Sequence, residues 1–148
     1  MNFLTLKLRS QLKQLLPAGE ILFEESILEK YSGDKWFAVH KPDAVALPRS
    51  TKSVSKLLRF ANRHGIPVTP RGAGHGYVGG CVPMKGGIVL SLERMNRIRE
   101  INAEDFAVVT EPGITTQALQ EAVERKGLYY PPDPASRKDS SIGGNIAT

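Results

Sequence analysis

Arg71-Gly72-Ala73-Gly74-His75-Gly76-Tyr77-Val78-Gly79-Gly80 decides how this chain reads, because five of these ten residues are glycine. Glycine has no Cβ and tolerates φ > 0, so the backbone can turn sharply and press against a ligand. Successive N–H groups in such a loop form a concave anion site. Ile66-Pro67-Val68-Thr69-Pro70, before the loop, reads as extended. Gly87-Ile88-Val89-Leu90-Ser91-Leu92, after it, reads as a buried strand. A glycine cradle between two strands points to a phosphate-bearing ligand held by the backbone. The loop lacks the Gly-Lys-Ser/Thr ending of a P-loop. No helix opens behind it, as one would in the dinucleotide fold. The glycine pattern alone leaves an ordinary surface loop equally open.

Upstream, Ala44-Val45-Ala46-Leu47-Pro48 is an extended apolar run. A helix follows, with Thr51 as its cap, Val54, Leu57, Leu58 and Ala61 as its core stripe, and Gly65 at its end. This strand–helix–strand order predicts a parallel, right-handed crossover. Downstream, Phe106-Ala107-Val108-Val109-Thr110-Glu111 reads as a strand and Pro112-Gly113 as a turn. Thr115 caps the next helix, with Ile114 and Leu119 as a hydrophobic staple. Leu119, Ala122 and Val123 form its inner stripe, and Gly127 ends it. Met95 to Asn102 reads two ways: Ile98 and Ile101 have helical spacing, yet the segment lies between two strands. At the N-terminus, Leu4, Leu8, Leu12, Leu15 and Leu16 predict a helix stopped by Pro17 and Gly19. Ile21-Leu22-Phe23 predicts a short strand, Ser26 to Tyr31 a helical turn, and Trp36 packs between elements. Tyr129-Tyr130-Pro131-Pro132-Asp133-Pro134 is a stiff loop, and Gly143-Gly144-Asn145 again allows close backbone approach. No closing element is expected after it.

The chain of 148 residues fits one domain. Hydrophobic content of 41% and charged content of 24% are those of a soluble globular protein. The net charge is +5, but Lys and Arg are interspersed with Asp and Glu. The absence of a basic stripe argues against nucleic acid and leaves an anionic cofactor as a suitable partner. Lys52, Lys56, Arg59 and Arg63 read as the solvated face of a helix. A single cysteine, Cys81, excludes an intrachain disulfide and a multi-cysteine metal site, and no metal is expected. The N-terminus has no secretory apolar region, and no run is long enough to span a bilayer. Its first 19 residues hold three basic and no acidic side chains, a faint likeness to a transit peptide that reads more simply as a first helix.

Four stretches then occur in one order: Arg71 to Gly80, Glu111-Pro112-Gly113, Tyr130-Pro131-Pro132-Asp133-Pro134 and Ser141-Ile142-Gly143-Gly144-Asn145. Together they resemble the FAD-binding domain of the vanillyl-alcohol oxidase/p-cresol methylhydroxylase superfamily. The nearest branch is that of the glycolate oxidase catalytic subunit and the D-lactate dehydrogenases. The likeness covers Ala38 to Thr148. It implies an α+β fold, namely the first subdomain of a PCMH-type FAD-binding domain, a small mixed sheet with flanking helices. Residues 1–37 are then an N-terminal helical segment, and residues 38–148 are the first part of the FAD domain. Relatives of this kind run to several hundred residues, so the sequence reads as an N-terminal fragment or a truncated gene product that stops before the second subdomain and the cap domain.

The resemblance also implies a site. Pro70, Arg71, Gly72, Ala73, Gly74, His75 and Gly76 hold the FAD pyrophosphate, with Tyr77 flanking. Gly113, Pro132, Ser136, Gly143, Gly144 and Asn145 line the rest of the flavin. The implied reaction oxidises a small 2-hydroxy acid to a 2-oxo acid, by hydride transfer to the flavin. The same domain also serves reductases of cell-wall precursors and sugar-alcohol oxidases, and a non-catalytic nucleotide-binding module is a further alternative. Implied partners are the substrate and either an electron acceptor or additional oxidase subunits. The implied location is cytoplasmic, with peripheral attachment to the inner membrane through those subunits. No catalytic base is assigned. His40 reads as surface, His64 as a helix end with a favourable dipole contact, Asp133 as a turn former and Cys81 as a small buried filler. The branch usually carries Thr or Ser where His75 stands. In berberine-bridge-like oxidases a His at the matching offset is bonded to the flavin. For His75 the alternatives are that bond, a hydrogen bond to the pyrophosphate, or packing in the loop.

Overall fold

A computed structural model describes residues 3–147. Helix α1 (Leu6–Leu15) starts at Thr5, whose hydroxyl accepts from the Leu8 N–H, and it ends before Pro17. Strand β1 (Ile21–Leu22) and helix α2 (Glu25–Lys30) follow. Strand β2 (Ala44–Ala46) is buried at every position. Helix α3 (Thr51–Arg63) is capped by Ser50, one residue ahead of the expected Thr51, because the Ser50 hydroxyl reaches the Ser53 N–H. Its inner stripe contains Leu57 and Ala61, but Leu58 is 44% exposed and Phe60 packs inward in its place. Strand β3 (Val68–Arg71) leads into the glycine loop, and β4 (Ile88–Ser91) leaves it fully buried.

The ambiguous segment resolves as strand β5 (Ile98–Asn102), paired antiparallel with β6 (Ala107–Thr110). Pairing across a tight turn outweighs the helical spacing of two isoleucines. The Asn102 side-chain oxygen accepts from the Glu104 and Asp105 N–H groups and closes that turn. Helix α4 (Thr116–Glu124) has the expected Thr115 cap and the inner residues Leu119, Ala122 and Val123. The chain does acquire a last element, helix α5 (Ile142–Ala147). Its two glycines argue against helix, and tertiary contacts override them.

The main sheet has the order β1-β2-β4-β3. β1 is antiparallel to β2, whereas β2 and β3 each run parallel to β4 between them. The β2–α3–β3 unit is therefore a parallel crossover that leaves a slot for β4. One face of the sheet buries Leu12 and Leu16 of the α1 region and Leu57 and Ala61 of α3 against Ala44, Ile88 and Leu90. On the other, Leu28 and Tyr31 meet Val45, Leu47 and Val89. A separate cluster of Ile114, Leu119, Val123 and Ile142 joins α4 and α5 to the β5–β6 hairpin. The architecture is the small mixed sheet with flanking helices that the sequence led us to expect. Trp36 is not packed between elements: it is 63% exposed, and its ring meets those of Phe37 and Tyr77 at 6.0 and 5.9 Å. Among the described residues, no helix is long and apolar enough to cross a membrane.

Candidate functional site

β3 and β4 end at one rim, with Arg71 opposite Ser91. Crevices off the carboxyl ends of parallel strands are the usual ligand sites of open sheets. Here a cleft of about 360 Å³ opens. Gly72, Ala73 and His75 of the glycine loop form one wall, and Glu93 and Asn96, after β4, form its floor. Gly113 and Thr115, before α4, and Lys138, Asp139 and Ser141, before α5, close the other side.

That far wall is set by close backbone approach. The Gly113 N–H donates to the Met95 carbonyl at 2.7 Å, and a Cβ on Gly113 would lie 2.8 Å from that oxygen and 3.1 Å from the Glu93 carbonyl carbon. The Pro112 carbonyl accepts from Gly143 N–H at 2.9 Å, and a Cβ on Gly143 would sit 2.6 Å from Pro112. Ile114 and Thr116 exchange further backbone bonds with Ile142 and Ser140. Thr116 is wholly buried, and its hydroxyl accepts from the Asn145 amide at 2.7 Å. The glycine loop touches this wall too: a Cβ on Gly72 would come within 2.6 Å of the Ser141 hydroxyl.

Behind the hairpin, Glu111 anchors the Pro112-Gly113 turn. Its carboxylate accepts from the Arg97 guanidinium at 3.0 and 3.2 Å, from the Arg97 N–H at 2.9 Å and from Arg99 at 2.5 Å. The Arg97 side-chain bonds come first among the causes that hold this carboxyl down at about 2. On the cleft floor, Glu93 accepts from the Tyr31 hydroxyl at 2.8 Å and from Ser91 at 3.3 Å. Burial, then the bond to Glu93, push the Tyr31 hydroxyl up to about 12, so it stays a donor.

In the glycine loop, the backbone N–H groups from Ala73 to Val78 donate to no group among the described residues. Gly74 has φ +77°, a left-handed conformation, and the Arg71 guanidinium occupies the place its Cβ would take. The His75 Nε2 lies 3.8 Å from the Asp139 carboxylate, while its buried Nδ1 has no hydrogen-bond partner among the described residues.

The expected site residues fall into four groups. Gly72, Ala73, His75 and Gly113 line the cleft itself. Pro70 and Arg71 end β3, Gly74 completes the loop behind its lining residues, and Gly143, Gly144 and Asn145 are in α5. Gly76 and Tyr77 lie at the exposed outer end of the loop. Pro132 and Ser136 are in the preceding loop: the Pro132 carbonyl accepts from Gln120 at 2.9 Å, and that of Ser136 accepts from Ser140 at 2.7 Å. His40 is exposed, as expected, and His64 caps α3 against the Phe60 ring. Asp133 is exposed and pairs with Arg137. Cys81 is half-buried rather than buried, 3.4 Å from the Arg71 guanidinium. Glu93, Asn96, Thr115, Lys138, Asp139 and Ser141 line the cleft without having been expected there. For Glu93 and Asn96 a signal existed, since they directly follow a parallel strand.

The family described as FAD binding domain matches residues 42–148. The chain belongs to that family. The FAD-binding domain is 48% identical over 129 residues to glycolate oxidase subunit GlcD of Bacillus subtilis (strain 168), covering 87% of this chain and 26% of that protein. It is 40% identical over 140 residues to D-2-hydroxyglutarate dehydrogenase of Stutzerimonas stutzeri (strain A1501), covering 93% of this chain and 30% of that one. Its fold matches that of p-cresol methylhydroxylase with a TM-score of 0.82 at 23% identity, over 93% of this chain and 28% of that one. The FAD-binding domain thus spans between a quarter and a third of the length of these relatives.

Proposed function

We propose that Pro70 to Tyr77 cradle the pyrophosphate of FAD, and that Gly113, Pro132, Ser136 and Gly143 to Asn145 wall the cofactor beside it. The observation that carries this reading is the run of N–H groups from Ala73 to Val78 that donate to no group among the described residues, a run whose Ala73 and His75 line the cleft. Side-chain charge does not supply the recognition: Lys138 is offset by Glu93 and Asp139 around the same cleft. An anion there is held by backbone donors, which keep their positions and stay charge-neutral. The orphaned His75 Nδ1 is a further polar atom that a bound group would satisfy.

The polypeptide carrying this domain then oxidises a 2-hydroxy acid, the class to which the glycolate and D-2-hydroxyglutarate in its relatives' names belong. Bound flavin supplies the hydride acceptor. Residues of this chain bind and orient the cofactor and keep water from one side of it. The substrate contacts and the base come from outside residues 1–148, as does the opposite wall of the cofactor, so this chain alone holds FAD weakly. Residues 38–148 are the first part of the FAD domain, and electron delivery to an acceptor or to further subunits is proposed on the same footing.

The test is FAD titration of Gly74→Val beside the parent chain, followed by flavin fluorescence. A β-branched residue at φ +77° is strained, and its side chain meets the Arg71 guanidinium. Affinity falls by about tenfold or more if two or more loop N–H groups lose alignment with the anion. Equal affinity in the folded variant would remove the loop from the cofactor site.

A further inference from the structure

We propose that the segment Tyr31 to Lys35, which lies outside the family match at residues 42–148, is a positioning clamp for the glycine loop. This rests on the reading of the loop as the FAD cradle. The two segments are distant in sequence and meet at three places. The Asp34 Oδ2 accepts from the Gly79 N–H at 2.9 Å. The Lys35 N–H donates to the Gly76 carbonyl at 3.3 Å. The Arg71 guanidinium donates to the Gly33 carbonyl at 2.6 Å while lying 5.5 Å over the Tyr31 ring.

The clamp is itself anchored. Tyr31 is 4% exposed and belongs to the cluster with Leu28, Val45, Leu47 and Val89. The backbone of Gly33 bridges Val39, and the Ser32 carbonyl accepts from the His40 N–H at 2.9 Å. Asp34 is held by its own turn, since its Oδ1 accepts from the Trp36 N–H at 2.8 Å and leaves Oδ2 to face Gly79. A continuous path therefore runs from the sheet core through Tyr31 and Asp34 to the outer end of the loop. Asp34 engages the Gly79 N–H, next to the run from Ala73 to Val78 that donates to no group among the described residues. Lys35 takes the Gly76 carbonyl, which would otherwise be free to turn toward an anion. Arg71 fills the space under Gly74 from within. Apart from the Tyr31 hydroxyl, which donates to Glu93 on the cleft floor at 2.8 Å, the clamp meets the site at the glycine loop, so Asp34 and Lys35 act on the cofactor through that loop. By ordering the loop in advance, it removes part of the entropy that binding would otherwise cost.

The experiment compares the parent chain with Asp34→Ala and Asp34→Asn, with Lys52→Ala on the exposed face of α3 as a control. Amide hydrogen exchange is read without FAD, and FAD affinity is read by titration. Circular dichroism checks the fold, and if Asp34→Ala fails it, Asp34→Asn is read by the same criteria. Loss of the charged acceptor is expected to speed exchange of the Gly79 N–H by about tenfold and to weaken FAD by a similar factor. Exchange in β4 stays at the parent rate. Unchanged loop exchange overturns the clamp, as does faster exchange with unchanged FAD affinity. If Gly74→Val loses FAD while Asp34→Ala keeps it, the cradle stands and the clamp falls. If Gly74→Val keeps FAD, the cradle falls and takes the clamp with it.

Discussion

Gly113→Ala and Gly76→Ala make the same chemical change and are predicted to move stability in opposite directions. At Gly113 the new methyl group meets the carbonyl oxygens of Leu92 and Met95, the latter at 2.8 Å, and the Glu93 carbonyl carbon at 3.1 Å. All are backbone atoms, so no side-chain rotation relieves the overlap. Overpacking of this kind costs about 1–3 kcal/mol, and rigid neighbours place this site near the upper end. Restricting the unfolded chain returns about 0.4–1 kcal/mol. The net loss is about 2 kcal/mol, or a fall in Tm of about 4–8 °C at about 2–4 °C per kcal/mol for a chain of this size. At Gly76 an added Cβ has nothing within 4 Å, and the φ is not in the left-handed region. Only the unfolded-chain term remains there, a gain of about 0.4–1 kcal/mol. Urea and thermal unfolding of the three chains give both signs. Because Gly113 and Glu93 both line the cleft, Gly113→Ala also displaces the floor and weakens FAD. A Gly113→Ala chain as stable as Gly76→Ala would show that the Gly113–Met95 approach does not constrain the fold.

Leu57→Ala, at a position 1% exposed between α3 and the sheet, is expected to cost about 2–5 kcal/mol by urea unfolding, because it removes buried apolar surface and leaves a cavity that the surrounding core fills only in part. Glu111 gives a pH dependence of known sign. Its folded-state pKa of about 2 lies below its ordinary 4.5, so its contribution is fully present above about pH 4.5 and is lost as pH falls through about 2. Glu111→Gln removes that part of the acid-induced loss, and acid titrations of the two chains that superimpose would refute the assignment.

How much of this was legible in the sequence differs by type of signal. Strong local signals read correctly: the Thr115 cap, the Ile114–Leu119 staple, the apolar run of β4 and the glycine loop all follow from neighbours within a few positions. The cap was expected one position late, at Thr51, and Leu58 was expected inside where Phe60 packs instead, because a cap depends on which hydroxyl reaches the third N–H and a stripe depends on where the helix sits on its sheet. Helix α5 was invisible because Gly143 and Gly144 oppose helix locally. The helix forms where Pro112 leaves no room for a Cβ at Gly143 and where Asn145 reaches the buried Thr116 hydroxyl.

The same distinction separates the two halves of the proposed cofactor site. The cradle announces itself, since glycines are required wherever backbone approaches backbone or ligand. What holds the cradle does not. Asp34 is one acidic residue in a polar loop, and Trp36 beside it resembles packing, until the chain brings Gly79 to the Asp34 carboxylate and Tyr77 to the Trp36 ring. A loop whose N–H groups face a ligand has few internal bonds with which to order itself. Its order must then come from segments that carry no glycine signature and lie far away in sequence. For this chain that segment precedes the family match, so cutting the protein at residue 42 would retain every glycine of the cradle and lose the Asp34 and Tyr31 that shape it.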